Sequence, residues 1–220
     1  MSQVAISPKL AQLLSSSQEL IRSTKGFMPP DEGTALAVSL FNCSASFGYP
    51  AVEIGSYIGL STLYLGLVAQ HQRRVLISVD HHRGSQENQQ GWEFHDPILV
   101  DPVSKKMDTL YLFRRTIDLA GLNDTVIVVA ADSQIYANSF REGIGFLFID
   151  GGHSLEQAEK DYEAWVPKII PGGCLAIHDV YPDPSLGGQP PFILYQRSLR
   201  EGFRVVVSQG SLRVMKKDSS

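Results

Sequence analysis

From Pro50 onward, short apolar runs alternate with segments of helical spacing, and this alternation constrains the fold more than any other feature of the chain. The runs at 51–54, 74–79, 125–130, 144–149 and 174–177 have strand length and bulk. Helical patterns cover 61–70, about 108–120, 155–169 and about 192–200. Repeated βα units build a parallel sheet with helices on both faces. Residues 203–207 and 211–215 flank the tight turn Ser208-Gln209-Gly210 and read as a β-hairpin, which adds an antiparallel strand. The expected class is therefore α/β, Rossmann-like and doubly wound.

Ahead of this region two helices are expected. Ser7 can cap the first, over 7–22, with Pro8 at its first position and Leu10, Leu13, Leu14 and Ile21 on one face. The stretch 26–30 interrupts the pattern, and a second helix with Leu36, Leu40 and Phe41 follows over 31–43. These helices suggest an N-terminal cap, residues 1–45, on a main domain, residues 46–220. In the 155–169 helix, Ser154 and Gln157 have capping-box spacing, and Pro171-Gly172-Gly173 supplies a stop.

A chain of 220 residues with 43% hydrophobic and 19% charged residues can bury the core of one such domain. A formal net charge of −4 argues against a generally basic nucleic-acid-binding surface. Cys43 and Cys174 form no CxxC pair, so neither a disulfide framework nor a structural zinc site is expected. They read as buried thiols in a reducing compartment. The first residues lack a basic region followed by an apolar core, and no run approaches the ~20 apolar residues of a membrane helix. A soluble cytoplasmic protein without membrane partners is the expectation.

Ligands of such sheets bind beyond the carboxyl ends of the strands. Those ends carry Glu53-Ile54-Gly55, Asp80-His81-His82, Ala131-Asp132-Ser133, Asp150-Gly151-Gly152-His153 and His178-Asp179. Four of the six histidines, His81, His82, His153 and His178, fall there, which scattered surface histidines would not do. The first loop, Glu53-x-Gly55-x-x-x-Gly59, lets backbone approach a ligand, and Ser61 and Thr62 open the next helix with hydroxyls. The dinucleotide fingerprint would need glycine where Tyr57 and Leu60 stand, and Tyr57 would obstruct a pyrophosphate. The loop suits a ligand without phosphate, such as an amino-acid nucleoside. Asp80 can accept both hydroxyls of a ribose, and Asp132 with Ser133 can meet an adenine amino group.

Taken together, VEIGSYIGLST at 52–62, SVDHHRGS at 78–85, FIDGGHSLEQAEKDYEAW at 148–165 and PGGCLAIHDV at 171–180 resemble class I S-adenosylmethionine-dependent methyltransferases. The likeness covers about residues 30–215 and is greatest to the bacterial group with cephalosporin-cluster and macrolide-sugar O-methyltransferases. It implies a seven-stranded sheet, mostly parallel with one antiparallel strand, and S-adenosylmethionine over strands one to four. Glu53, Gly55 and Gly59 would shape the methionine pocket, Asp80 would hold the ribose, Asp132 with Ser133 would flank the adenine, and Ser56, Ser61 and His81 join them as cofactor-binding candidates. Asp150 also belongs to this cofactor set.

In metal-dependent members, the aspartate of D-x-x-H binds magnesium and the histidine is the general base; those positions are Asp150 and His153. Their second metal pair, Glu-Asp, is His178-Asp179 here, a departure that disfavours magnesium and suits a transition metal such as manganese. A divalent metal (Mg or Mn) on Asp150, His178 and Asp179 and a metal-free role for His178 as base or substrate donor both stay open. The polar stretch 81–104 offers Trp92 and Phe94 as a cover for the acceptor, with Trp92, His95 and His178 as candidate substrate contacts. The resulting expectation is O-methylation of a small hydroxylated acceptor by a homo-oligomer, with His153 as base. A non-catalytic S-adenosylmethionine-binding module and a nucleotide-dependent oxidoreductase are the rival functions.

Overall fold

The computed structural model describes residues 6–44, 48–85, 88, 91, 96–152 and 154–219. Strands β1 (Ala51–Ile54), β2 (Leu76–Val79), β3 (Val126–Val129), β4 (Ile144–Ile149), β5 (Ile169–Ile177), β6 (Phe203–Gln209) and β7 (Leu212–Lys217) form one sheet in the order β3-β2-β1-β4-β5-β7-β6. Strands β1 to β5 pair in parallel, whereas β7 is antiparallel to both β5 and β6. One strand thus runs against the other six, as the sequence implied.

Among the described residues, eight α-helices accompany the sheet: α1 (Pro8–Ser16), α2 (Gln18–Ser23), α3 (Pro30–Asn42), α4 (Leu60–His71), α5 (Leu110–Leu119), α6 (Ser133–Ser139), α7 (Leu155–Trp165) and α8 (Pro190–Arg200). The period-2 alternation of each strand sends its side chains into two separate cores. Phe146 and Phe148 of β4 join the residues of α1, α3, α4 and α5 on one face. Leu147 and Ile149 join those of α6, α7 and α8 on the other. Helix α4 is apolar nearly all round because it lies between the sheet and α3, so Leu63, Leu65 and Val68 are all fully buried.

Three local expectations need correction. The helix expected over 7–22 is two helices, because Ser15 and Ser16 turn their hydroxyls onto the carbonyls of Gln12 and Leu13, and the backbone leaves the helical region at Ser17. The helix expected to reach 169 ends at Trp165, since Pro167 has no N–H to continue it; a 3₁₀ turn at Val166–Lys168 follows. Pro171-Gly172-Gly173 then lies inside β5. Ile144 pairs with Ile169 but Phe146 with Cys174, so these residues form a bulge, with Gly172 at φ 76°. Helix α6 has no counterpart in the sequence reading; it is seven residues long and starts on Asp132, which accepts from the N–H groups of Gln134 and Ile135.

Gly33 is where α3 meets α4, and a Cβ there would fall on the Tyr64 ring. Gly33→Ala is therefore expected to destabilise the fold by about 1–3 kcal/mol in urea titration, despite alanine's better helix propensity. Equal or greater stability would mean that Tyr64 swings aside freely.

Candidate functional site

The carboxyl ends of β1 and β4 almost touch. Gly55 follows β1 at φ 84°, and a Cβ on it would collide with the backbone carbonyl of Asp150. Five described non-glycine residues have positive φ, and three of them, Tyr57, His82 and Asp179, lie just past β1, β2 and β5. Backbone strain thus collects along the edge where a ligand of such a sheet binds. Tyr57 turns its ring toward Phe27, from the segment between α2 and α3, with centroids 5.4 Å apart.

Glu53 lies within β1 and is fully buried. The hydroxyls of Ser61 and Thr62 at the start of α4 each donate to it at 2.6 Å, and Ser78, its cross-strand neighbour on β2, donates at 2.8 Å. Burial raises its pKa to about 7, against the pull of the three hydroxyls. In this arrangement Glu53 anchors the helix behind the glycine loop.

Asp80 clamps the loop itself. Its Oδ2 accepts the backbone N–H groups of Ser56 at 2.9 Å and Tyr57 at 3.0 Å, with the Ser56 hydroxyl at 3.4 Å. Its Oδ1 accepts the His82 N–H at 2.7 Å. The residue read as a ribose acceptor thus also fixes Gly55–Gly59 in place, and Oδ1 keeps lone-pair capacity for a hydroxyl. His81 beside it is exposed, and its Nδ1 accepts the Arg83 N–H at 3.0 Å. His82 is buried on Thr109 and Phe113, and burial lowers its pKa, so its ring is neutral.

Asp132 serves as the cap of α6, while the Ser133 hydroxyl donates to Asp161 on α7, which also takes the Gln157 amide. Gln157 therefore does not close a capping box, although its N–H does bond the Ser154 hydroxyl at 3.2 Å. Burial raises the Asp161 pKa. A small recess of about 10 Å³, room for no more than a water molecule, lies between the ends of β4 and β5 and helices α7 and α8; Ile149, Ala158, Ile177 and Leu194 give it apolar walls, and Asp150 and Asp161 carboxylates.

His178 ends β5 and is only 3% exposed. Its Nδ1 lies 3.1 Å from Asp150 Oδ1 and 3.6 Å from Asp179 Oδ1, and its Nε2 lies 2.7 Å from Glu32 Oε2. Burial works against a charged ring, but the surrounding carboxylates overcome it and raise the pKa to about 11. The ring is an imidazolium donating from both nitrogens. Glu32, on the first turn of α3, also accepts the Ser211 N–H at 2.7 Å and its hydroxyl at 3.0 Å. Burial alone would raise the Glu32 carboxyl, yet these hydrogen bonds hold it below its usual range. Glu32 escaped sequence reasoning because it lies 146 residues from His178 and looks like an ordinary acidic residue at a helix start.

Asp150, His178 and Asp179 each offer one ligand atom, all within 4.8 Å of one another. The donor set fits a divalent ion: a metal would take the place of the Nδ1 proton, while Glu32 would keep Nε2–H oriented, as the partners of metal-binding histidines do. The structure therefore brings together Glu53, Gly55, Ser56, Gly59, Ser61 and Asp80 at β1 and β2, and Asp150, His178 and Asp179 at β4 and β5. Asp132 and Ser133 follow β3, and Ser133 bonds Asp161, which lines the same recess as Asp150 and His178. His153, Trp92, Phe94 and His95 lie outside the described residues.

A family model described as a methyltransferase domain matches residues 52–180, more than half of the chain. Among solved structures, the O-methyltransferase NovP aligns with a TM-score of 0.65 at 14% identity, covering 92% of this chain and 88% of that one. An O-methyltransferase from Bacillus cereus, solved in complex with SAH, gives 0.59 at 18% identity over 97% and 92%. Cofactor-bound Rv0187 from MTB gives 0.62 at 15% identity over 98% and 92%. At such identities these likenesses establish the shared fold.

Two outcomes are expected. A carboxyl raised from 4.5 to about 7 takes up protons on folding, so its stabilising share is full below pH 4.5 and lost as pH rises through about 7. The whole shift corresponds to about 3 kcal/mol. Urea titrations from pH 4.5 to 8 should show wild type losing stability relative to Glu53→Gln; parallel profiles would place Glu53 at its ordinary pKa. Glu32→Ala, which strips a counter-charge from buried His178, should cost about 3–5 kcal/mol in the same assay. A cost below about 1 kcal/mol would make the contact energetically idle.

Proposed function

This chain belongs to the methyltransferase-domain family, and we propose that it moves a methyl group from S-adenosylmethionine to an oxygen of a small hydroxylated metabolite. The observation that carries this reading is the glycine loop clamped on Asp80, directly beside the Asp150–His178–Asp179 cluster. That juxtaposition sets a nucleoside-binding edge next to polar groups able to handle an acceptor. The SAH-bound relative from Bacillus cereus supports the choice of cofactor.

Transfer from a sulfonium is an in-line displacement in which the cofactor brings the electrophile, so the protein's work is alignment. Asp80 and Glu53 make the loop rigid from below, through backbone N–H groups and the hydroxyls of α4 respectively. His153, three residues after Asp150, removes the acceptor proton; an imidazole with a reference pKa of roughly 6.5 suits that task. Asp150, His178 and Asp179 would hold a divalent ion, manganese in preference to magnesium because of the imidazole nitrogen. Such an ion, when bound, would lower the pKa of the acceptor hydroxyl.

Calorimetric titration tests the reading. S-adenosylmethionine should bind at micromolar concentration, with or without manganese, and NAD should not bind. Against a panel of phenols, sugars and polyketide alcohols, His153→Ala should lower turnover by about 10²–10⁴-fold while cofactor affinity stays within a factor of about two. Absence of S-adenosylmethionine binding would overturn the proposal. Binding without turnover on any acceptor would leave a cofactor-binding module in its place.

A further inference from the structure

We propose that Cys43 and Cys174 are a disulfide-forming pair, a modification site that ties the N-terminal helices to the sheet when the protein meets an oxidant. Cys43 caps the C-terminus of α3, and Cys174 lies on β5, 131 residues away, yet their sulfurs sit 2.9 Å apart. Each residue is 5% exposed, and the two are not joined by a disulfide in this structure. Both belong to the core beneath α3 and α4, where Cys174 pairs with Phe146 on β4 and Lys216 on β7. Two cysteines placed side by side need little backbone movement to join.

The surroundings act on the thiols in both directions. Contact with Cys43 and burial push the Cys174 thiol upward, which leaves little of the reactive thiolate at rest. The positive charges of Lys216 and Arg74 pull the other way. Arg74 is itself buried, and burial lowers its pKa while the two sulfurs raise it. These cations offset part of the rise at Cys174.

With hydrogen peroxide the chemistry balances in two steps. One thiolate attacks a peroxide oxygen, the O–O bond breaks, and a sulfenic acid forms while the departing hydroxide takes up the proton the thiol had lost and leaves as water. The second thiol then attacks that sulfur, forming the S–S bond and expelling a second water. Both sulfurs are oxidised, and the peroxide is the electron acceptor. The bond would close a loop spanning most of the chain, and a long loop is where a cross-link removes the most freedom from the unfolded state. It would hold α3, and with it Glu32, against β5.

The test uses the intact protein and hydrogen peroxide. After peroxide treatment, denaturation and alkylation, mass spectrometry should find the Cys43 and Cys174 peptides joined within one chain, with the loss of two hydrogens. The treated protein should melt about 5–15 °C higher than the same sample returned to dithiothreitol. Cys43→Ala and Cys174→Ala should each show no peroxide-dependent rise, and if either variant fails to fold, the other and the dithiothreitol control carry the comparison. Thiols that stay alkylatable, sulfinic or sulfonic acids as the sole products, or a bond found only between chains would each overturn the proposal.

Discussion

A strand covered on both faces leaves its side chains no solvent until it ends. Strands β1, β2 and β4 are buried from first residue to last, so the polar groups of the central sheet gather where those strands stop. Glu53 and Ser78 are the exceptions, and they satisfy each other and the hydroxyls of α4 inside the core. The site is in this sense a consequence of the packing: two apolar cores press on the sheet, and chemistry is left to its carboxyl edge.

The character of that edge is acidic. Asp80 is spent on backbone N–H groups and Asp132 on a helix start, whereas Asp150, Asp179 and Glu32 surround one imidazolium. Such an edge suits a cationic cofactor better than a polyphosphate, consistent with the loop's lack of the dinucleotide glycines. Each carboxylate here does a structural job as well as any ligand-facing one. Removing one would therefore disturb the scaffold together with the site, and loss of activity alone would not separate the two.

The fold was legible because βα alternation and a terminal hairpin leave periodic traces in a sequence. Gly55, Asp80 and Asp150 were legible as strand-end residues at fixed spacing. What Asp80 does to the loop was not, since its bonds to Ser56 and Tyr57 depend on how β1 and β2 lie side by side. Glu32 and Asp161 left no trace at all: they act across long sequence separations, and a carboxylate on a helix reads as a solvated face. Pro171-Gly172-Gly173 misled for a related reason. Those residues commonly stop an element, but a neighbouring strand can hold them as a bulge.

Glu32 also bears on how the pieces of such proteins can be recombined. The matched methyltransferase segment begins at residue 52, twenty positions after Glu32. Helix α3 lies ahead of that segment, yet it supplies a counter-charge to the sheet edge and an acceptor to the turn between β6 and β7. Grafting the lead-in of a relative onto this sheet would succeed only if it delivered a carboxylate at the same depth. The leading helices and the sheet edge thus share one buried charge balance, as a lock and its own key rather than as interchangeable parts.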